Sequence, residues 1–209
     1  MGDDVSAAIM AATYRALCTH GYADLTMQDI ADHTDKSKAA LHYHYDSKRD
    51  LLLAFLDHLH DAFTDRVRDP TGETPRDRLV TVIDQVLSPP EPDADAREAF
   101  GTAMLELKAQ APYDEAIRER MEAIDAFLYE TVRDLLRAGI ERGDFRDVDP
   151  DDTARFIVTA FEGAWTKHVA VDQDLTCTRR MLRNYVETHL LAGDADRPDD
   201  PPRTDSLTE

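Results

Sequence analysis

The chain of 209 residues has few cysteines and no long apolar run. Its two cysteines, Cys18 and Cys177, are too few for a disulfide framework or a cysteine-rich metal cluster. No run of about 18 apolar residues and no signal-peptide pattern occurs, so we expect a soluble, cytoplasmic protein without a membrane span. Sequence motifs of hydrolases, zinc proteases and phosphate-binding loops are also missing. We therefore expect no enzyme activity, no metal and no cofactor.

Positive charge is scarce as well. Lys and Arg number 24 against 43 Asp and Glu, which gives a formal net charge of −19. This balance excludes a generic basic nucleic-acid binder, but it leaves room for DNA binding through a small basic patch. Only five lysines occur, and Asp outnumbers Glu by more than two to one. Such a composition resembles the proteins of salt-loving microbes, so we expect a halophilic source; an ordinary acidic bacterial protein is the alternative.

Apolar residues recur every three or four positions along most of the chain, and no alternating strand pattern occurs, so the predicted fold class is all-α. Gly21 ends a first helix. Three helices are then predicted to start at Thr26, Ser37 and Ser47, because each of these side chains can cap a helix. Further helices are predicted over residues 96–109, 113–142 and 178–191, with others starting at Pro75 and Asp149.

The order of these elements predicts two domains. Short capped helices before a long helical remainder favour an N-terminal three-helix helix-turn-helix domain, which we place at residues 1–46. The predicted C-terminal helical domain covers residues 47–192. Residues 193–209 are rich in Asp, Pro, Arg, Ser and Thr, so we expect a disordered acidic tail there.

Residues 26–51 carry a specific pattern: Thr-x-x-x-Ile-Ala, a turn, Ser-x-x-x-Leu-His-x-His-Tyr, a short linker and Lys-x-x-Leu. This pattern resembles the DNA-binding segment of the TetR family of transcriptional regulators, and the match extends over roughly residues 5–56. The remainder is similar in outline to the family's ligand-binding and dimerisation domain, through Gly-Asp-Phe, Asp-Pro-Asp-Asp and Phe-Glu-Gly-Ala-Trp. The resemblance implies a homodimeric, DNA-binding regulator with a small-molecule effector.

The segment departs from the family pattern at three positions. Asp35 and Lys36 stand where members usually have Gly and Val, so the turn lacks its usual left-handed residue. Asp tolerates that conformation, and we expect the turn to form. His42 stands where a tyrosine usually contacts a phosphate, and a His still donates one hydrogen bond when neutral. These departures leave a second hypothesis open: a helical ligand-binding or interaction protein whose helix-turn-helix no longer binds DNA.

The scarce cations are concentrated in the same segment. Residues 36–49 have a net charge of +3 and contain three of the five lysines. Leu41 and Tyr45 lie one turn apart and are expected to face the core, which directs Ala39 and Tyr43 outward. The predicted DNA-binding residues are Ala39 and Ala40 toward the bases, Tyr43 and His44 toward bases or phosphates, Thr26, Lys38 and Lys48 toward phosphates, and Ser37 and His42 beside them.

The helical body carries aromatic and Met residues at positions suited to a ligand cavity. For any one of them, burial in the core is the common alternative. Together with the resemblance, they predict an apolar or aromatic effector and a pocket lined by Phe100, Met104, Phe127, Phe161 and Trp165. Gly163 lets another helix approach closely, so we expect the last two helices of each subunit to pair in a homodimer.

These features together predict a one-component TetR-like regulator, a repressor that binds a palindromic operator in double-stranded DNA. A small ligand in the helical body is expected to favour a dimer whose recognition helices no longer match two half-sites one DNA turn apart.

Overall fold

The computed structural model describes the backbone of residues 2–88 and 94–192 and the side chains of residues 5–88 and 99–192. All regular secondary structure in these ranges is helical, which confirms the all-α prediction. The helices are α1 (Gly2–Asp24), α2 (Met27–Asp32), α3 (Lys38–His44), α4 (Lys48–Val67), α5 (Pro75–Val86), α6 (Ala94–Lys108), α7 (Glu115–Glu141), α8 (Pro150–Val171) and α9 (Leu175–Tyr185), followed by a π-helical turn over Val186–Leu190. The predicted tail, residues 193–209, lies outside the described residues.

Side-chain caps begin the helices where the sequence predicts them. The Thr26 hydroxyl accepts a hydrogen bond from the backbone N–H of Asp29 at 3.3 Å. In return, the Asp29 carboxylate accepts the backbone N–H of Thr26 at 2.8 Å, which completes a capping box at the start of α2. The hydroxyls of Ser37 and Ser47 cap α3 and α4 by accepting from the backbone three residues on. The three short helix starts therefore follow from local chemistry.

The last helix begins earlier than predicted and ends differently. It starts at Leu175 rather than Thr178, because the carboxylate of Asp174 accepts the backbone N–H of Thr176 at 2.8 Å and caps the first turn. The regular α-helix then ends at Tyr185, and the chain continues as one π-helical turn. Apolar residues spaced by three or four positions fit an α-helical turn and a π-helical turn alike, so the sequence does not distinguish them.

The helix α1 is interrupted at Gly21, which has a φ of 69°. This left-handed conformation suits glycine and ends the regular part of the helix. The next residue, Tyr22, donates its backbone N–H to Glu106 Oε2 of α6 at 2.7 Å. A Cβ at position 21 would lie 3.1 Å from the same oxygen. Gly21 therefore both stops the helix, as predicted, and lets α6 approach its end.

The turn between α2 and α3 forms without a left-handed residue at Asp35. In the part of the chain that the structure describes, Asp172 is the one non-glycine residue with a positive φ. The backbone N–H of His33 donates to the last turn of α2 at 3.2 Å, and Arg15 Nη2 donates to the His33 carbonyl at 2.7 Å. The turn therefore forms as expected, although hydrogen bonds around His33 close it and Asp35 does not adopt the left-handed conformation.

A head core, a body core and a small third cluster of Leu56, Leu107 and Ile117 hold the helices together. We call α1 to α3 the head and α4 to α9 the body. The helix α4 belongs to both cores: Leu51, Leu52 and Phe55 pack in the head core, whereas Val67 packs in the body core. Because α4 packs on both sides, the domain boundary between residues 46 and 47 stays a prediction. No helix of the described ranges is long and apolar enough to cross a membrane.

Candidate DNA-binding surface and ligand cavity

The short helix α3 holds one side in the head core and turns the other to solvent. Leu41 is fully buried, and Tyr45 packs against the same core from the end of the helix. Tyr43 is 87% exposed, and its ring meets the ring of His44 edge to face at 5.4 Å between centroids. Most of the predicted contact residues on this helix are exposed, and Ala40 is partly exposed. The exposed ones are Lys38, Ala39, His42, Tyr43 and His44.

The three residues predicted to contact phosphates lie in different environments. Lys38 is exposed at the first turn of α3. Thr26 is engaged in its capping box, where its hydroxyl also donates to Asp29 Oδ2 at 2.7 Å. This hydrogen bond is the main reason why the pKa of Asp29 lies below its ordinary value. Lys48 is partly buried: its Nζ donates to the Tyr22 carbonyl at 3.3 Å and lies 5.2 Å from the centre of the Tyr22 ring.

Two of the four cations in residues 36–49 are neutralised within the chain. Lys36 Nζ lies 3.1 Å from Asp35 Oδ2. Arg49 forms two hydrogen bonds with Asp114, at 2.6 Å from Nε and 2.7 Å from Nη2. The net charge of +3 counted from the sequence therefore overstates the charge that this segment offers to DNA. Lys38 and Lys48 are the two cations of this segment without a carboxylate partner in the described residues. The charge count misses the pairing of Arg49, because Asp114 is distant in the sequence.

The pair of Arg49 and Asp114 joins the first turn of α4, directly after α3, to the first turn of α7. Asp114 also caps α7, because its Oδ1 accepts the backbone N–H groups of Ala116 at 3.0 Å and Ile117 at 3.3 Å. The Arg49 guanidinium is the largest cause of a pKa of about 2 for Asp114. The bond from Tyr22 to Glu106 is a second connection between head and body. The sequence analysis places residue 114 inside the helix 113–142, so it gives neither the cap at Asp114 nor the long-range partners of Asp114 and Glu106.

A cavity of about 870 Å³ lies among α4, α6, α7 and α8. Four of the five predicted pocket residues line it: Phe100, Met104, Phe161 and Trp165. The Trp165 indole N–H donates to the Val86 carbonyl at 2.9 Å, which fixes the indole in the wall. The volume is within the range of small-molecule sites, and the walls are largely apolar and aromatic.

Phe127, the fifth predicted pocket residue, is not part of this lining. Its ring packs against His60 and Phe63 of α4, at 6.3 Å between centroids in each case. The side of α7 that faces the cavity instead carries Met121, Ile124 and Leu128. In the described part of the chain, no group of three or more His, Cys, Asp or Glu side chains is placed to hold a metal ion.

Comparison with protein families agrees with this arrangement of head and body. Residues 9–55 match the model of bacterial regulatory proteins of the tetR family. Residues 75–191 match the model of the BetI-type transcriptional repressor, C-terminal. The chain belongs to the TetR family. It is therefore a DNA-binding transcriptional regulator, and neither the fold nor these matches favour the hypothesis of a head that no longer binds DNA.

Individual relatives match this TetR-family chain over most of its length. A TetR transcription regulator from Haloarcula marismortui ATCC 43049 is 40% identical with a TM-score of 0.83, over 90% of this chain and 99% of that one. A transcriptional regulator from Saccharomonospora viridis, crystallised in complex with choline, is 25% identical with a TM-score of 0.78, over 91% and 100%. The HTH-type transcriptional repressor AcnR of Corynebacterium glutamicum is 28% identical over 156 residues, 74% of this chain and 77% of that protein.

The pair of Arg49 and Asp114 predicts an acid-sensitive connection. Because folding lowers the pKa of Asp114 from 3.8 to about 2, the pair stabilises the folded state fully above pH 3.8 and loses this effect as the pH falls toward 2. We expect the substitution Arg49→Gln to raise the pKa of Asp114 toward 3.8, measured by NMR titration of the side-chain carboxyl carbon.

The matched control for this titration is Arg118→Gln. Arg118 also lies near the start of α7 but pairs with Glu115 and Glu122 rather than with Asp114. It is expected to leave the Asp114 titration in place. Equal shifts in the two variants, or no shift in Arg49→Gln, would contradict the assignment.

Proposed function

We propose that this TetR-family regulator is a cytoplasmic homodimeric repressor that binds a palindromic operator through α3 and is released by a small ligand in the cavity of the body. The observation that supports the proposal is that α6 contributes both to the cavity of the body and to a contact with the head. It supplies Phe100 and Met104 to the cavity wall and Glu106 to the bond with Tyr22 of α1. The match of the body to a BetI-type repressor supports repression as the sign of regulation.

The mechanism follows from this shared helix. A ligand shifts a two-state equilibrium only if it binds one state more tightly than the other. A ligand that favours a displaced α6 also displaces Glu106, and the bond to Tyr22 transmits that displacement to α1 and the head. In a dimer, such a displacement changes the separation of the two α3 helices, which must match half-sites about one DNA turn apart.

The contacts proposed with DNA divide into two classes. Ala39, Tyr43 and His44 are exposed on α3, and Ala40 is partly exposed. These four residues contact base edges in the major groove, with Ser37 and His42 beside them. Lys38 contacts the phosphate backbone, and Thr26 and Lys48 join it at the rim of the groove. Thr26 and Lys48 have partners inside the head in the absence of DNA, so their phosphate contacts form in addition to those bonds or in exchange for them.

We also propose that the regulator acts at high salt concentration. Its net charge of −19 suits a strongly hydrated surface, and the DNA-binding face keeps Lys38 and Lys48 as its cations after Lys36 and Arg49 are paired. Affinity that depends on many phosphate contacts falls steeply with salt, whereas affinity from few such contacts falls less. Base contacts from α3 therefore supply a large share of the binding free energy.

The homodimer is proposed to form through α8 and α9. Phe156 of α8 and Met181 of α9 are exposed by 53% and 56%, and the ring of Phe156 packs on Tyr185 at 5.3 Å between centroids. Gly163 lies seven residues after Phe156, on the same side of α8. A Cβ at Gly163 would have no neighbour within 4 Å, so this face has room for a second helix. Exposed apolar side chains of this size are typical of an interface.

The proposed function is tested by selecting fragments of the source genome with the purified protein in molar KCl and sequencing the retained DNA. We expect enrichment of one or a few palindromic sites, and release of those sites by the effector. A folded protein that enriches no site at any salt concentration would overturn the proposal.

The proposed roles of Tyr43 and Lys38 on α3 predict different losses of DNA-binding affinity when each is replaced by alanine. Tyr43→Ala is expected to weaken operator binding by roughly tenfold or more, because a base contact is worth about 1–3 kcal/mol, and to change binding to random DNA much less. Lys38→Ala is expected to weaken binding to operator and to random DNA alike, because phosphates carry no sequence information. Lys36→Ala is the control, since Lys36 is paired with Asp35. Equal losses on both DNAs for Tyr43→Ala would remove its role in base recognition.

The proposed interface predicts the effect of a charge placed on α9. Met181→Asp is expected to convert the dimer to a monomer in sedimentation velocity, because an unpaired carboxylate disfavours burial in an apolar contact. Tyr113→Asp is the control, because Tyr113 is 88% exposed but lies in the loop between α6 and α7 and belongs to neither α8 nor α9. A Met181→Asp protein that stays dimeric would exclude this face as the interface.

A further inference from the structure

The cavity contains more charge than a purely apolar ligand requires. Three carboxylates and four cations line it together with the aromatic and aliphatic walls. Each of the three carboxylates is paired with one of the cations across or along the helices; the pairs are Glu162 with Lys108, Asp125 with Arg155 at 3.1 Å, and Glu122 with Arg118 at 3.6 Å. One cation of the lining is therefore left over, Arg66 of α4.

Arg66 has no charged partner among the described residues. Its side chain is partly buried, and its Nε is fully buried without a hydrogen-bond partner. The guanidinium lies over the ring of Phe63, 5.4 Å from the centroid. Burial lowers the pKa of Arg66, and no neighbouring carboxylate opposes that effect. An arginine nonetheless stays protonated in proteins, so a positive charge remains in this wall.

A half-buried cation without a carboxylate partner disfavours folding unless something else compensates for its charge. The buried Nε of Arg66 has no acceptor, which costs free energy, and the ring of Phe63 does not supply one. Packing in the cavity wall therefore leaves the charge of Arg66 without a partner. A ligand anion in the cavity supplies that partner, because a guanidinium presents parallel N–H donors that match a carboxylate.

We propose that the effector of this regulator is an organic acid with an apolar body, whose carboxylate is bound by Arg66. The apolar body then packs against the walls formed by Phe100, Phe161 and Trp165. The inference deepens the proposed function, since it rests on the cavity being the effector site. A cation such as choline, which is bound in the Saccharomonospora relative, meets no unpaired carboxylate in the described lining and faces the positive charge of Arg66.

Binding can be measured directly through the cavity wall, because Trp165 is the single tryptophan of the chain. The full chain is titrated with octanoate, octan-1-ol and octyltrimethylammonium, which share one alkyl body and differ in the charge of the head group. Trp165 fluorescence reports binding. We expect octanoate to bind roughly tenfold or more tightly than octanol, as for a charge-assisted hydrogen bond, and octyltrimethylammonium to bind weakest.

Two arginine variants locate the carboxylate. Arg66→Gln is expected to weaken the binding of octanoate roughly tenfold or more and to change the affinity for octanol by less than about twofold. Arg66→Lys keeps the charge without the paired donors, so its affinity for octanoate should lie between those of the wild type and Arg66→Gln. Arg68→Gln is the matched control, because Arg68 follows α4 two residues later, is exposed and does not line the cavity. Circular dichroism establishes that each variant is folded.

The outcomes separate this inference from the proposed function, because the titration contains no DNA. Octanoate that binds no more tightly than octanol, a tightest complex with octyltrimethylammonium, equal effects of Arg66→Gln and Arg68→Gln, or no binding of octanoate would each overturn the role of Arg66. Operator selection in the genome would be unaffected by any of these. Conversely, Arg66-dependent binding of octanoate by a protein that enriches no DNA would uphold the carboxylate site and overturn the repressor.

Discussion

The arrangement of this regulator depends on α4 being one continuous helix that is buried in two cores at once. Its first turns place Leu51, Leu52 and Phe55 among α1 to α3, and its last turns place Val67 among the body helices. Between these ends, α4 is held to α7 by Asp114 at one point and by Arg120 at another, where Arg120 Nε donates to the Leu53 carbonyl at 3.2 Å. A packed helix transmits displacement because protein interiors resist compression. The α3 surface and the cavity are therefore connected through a shared, packed helix rather than a flexible linker.

The strongly acidic composition makes the placement of each cation informative. Several of the described arginines pair with carboxylates of other helices, as Arg155 does with Asp125 and Arg183 with Asp84. Exposed pairs of this kind add little to stability individually. They do remove positive charge from the surface, so the cations left without a carboxylate stand out. Lys38 on the face of α3 and Arg66 in the cavity are two such residues, and they lie at the two places where an anion, DNA phosphate or a ligand carboxylate, is proposed to bind.

Local features of the fold were predictable because their causes lie within a few residues. The hydroxyl of Thr26 and the carboxylate of Asp29 are three positions apart, so the capping box is visible in the sequence. The partners of Arg49 and Glu106 are not, because they depend on how distant helices pack. The same limit applies to the cavity. Periodicity predicts Phe127 and Phe161 equally well as lining residues, but the packing of α7 on α4 places Phe127 against His60 and Phe63, outside the lining. The lack of a carboxylate partner for Arg66 among the described residues is visible only after their carboxylates have been placed.

Three helix starts in the body differ in chemistry from those in the head, although α5 of the body is capped by the hydroxyl of Thr74. In the head, and at the start of α4, the atoms that accept the first backbone amides are the hydroxyls of Thr26, Ser37 and Ser47, which remain acceptors at any acidity. In the body, α7, α8 and α9 all begin at an aspartate, namely Asp114, Asp149 and Asp174. A carboxylate that takes up a proton becomes a weaker acceptor and no longer complements the helix dipole. The pKa values of Asp114 and Asp174 both lie below the ordinary value because these carboxylates accept hydrogen bonds. Acid strong enough to protonate them therefore weakens the starts of α7 and α9 in the body, whereas the hydroxyl acceptors at the starts of α2, α3 and α4 stay in place.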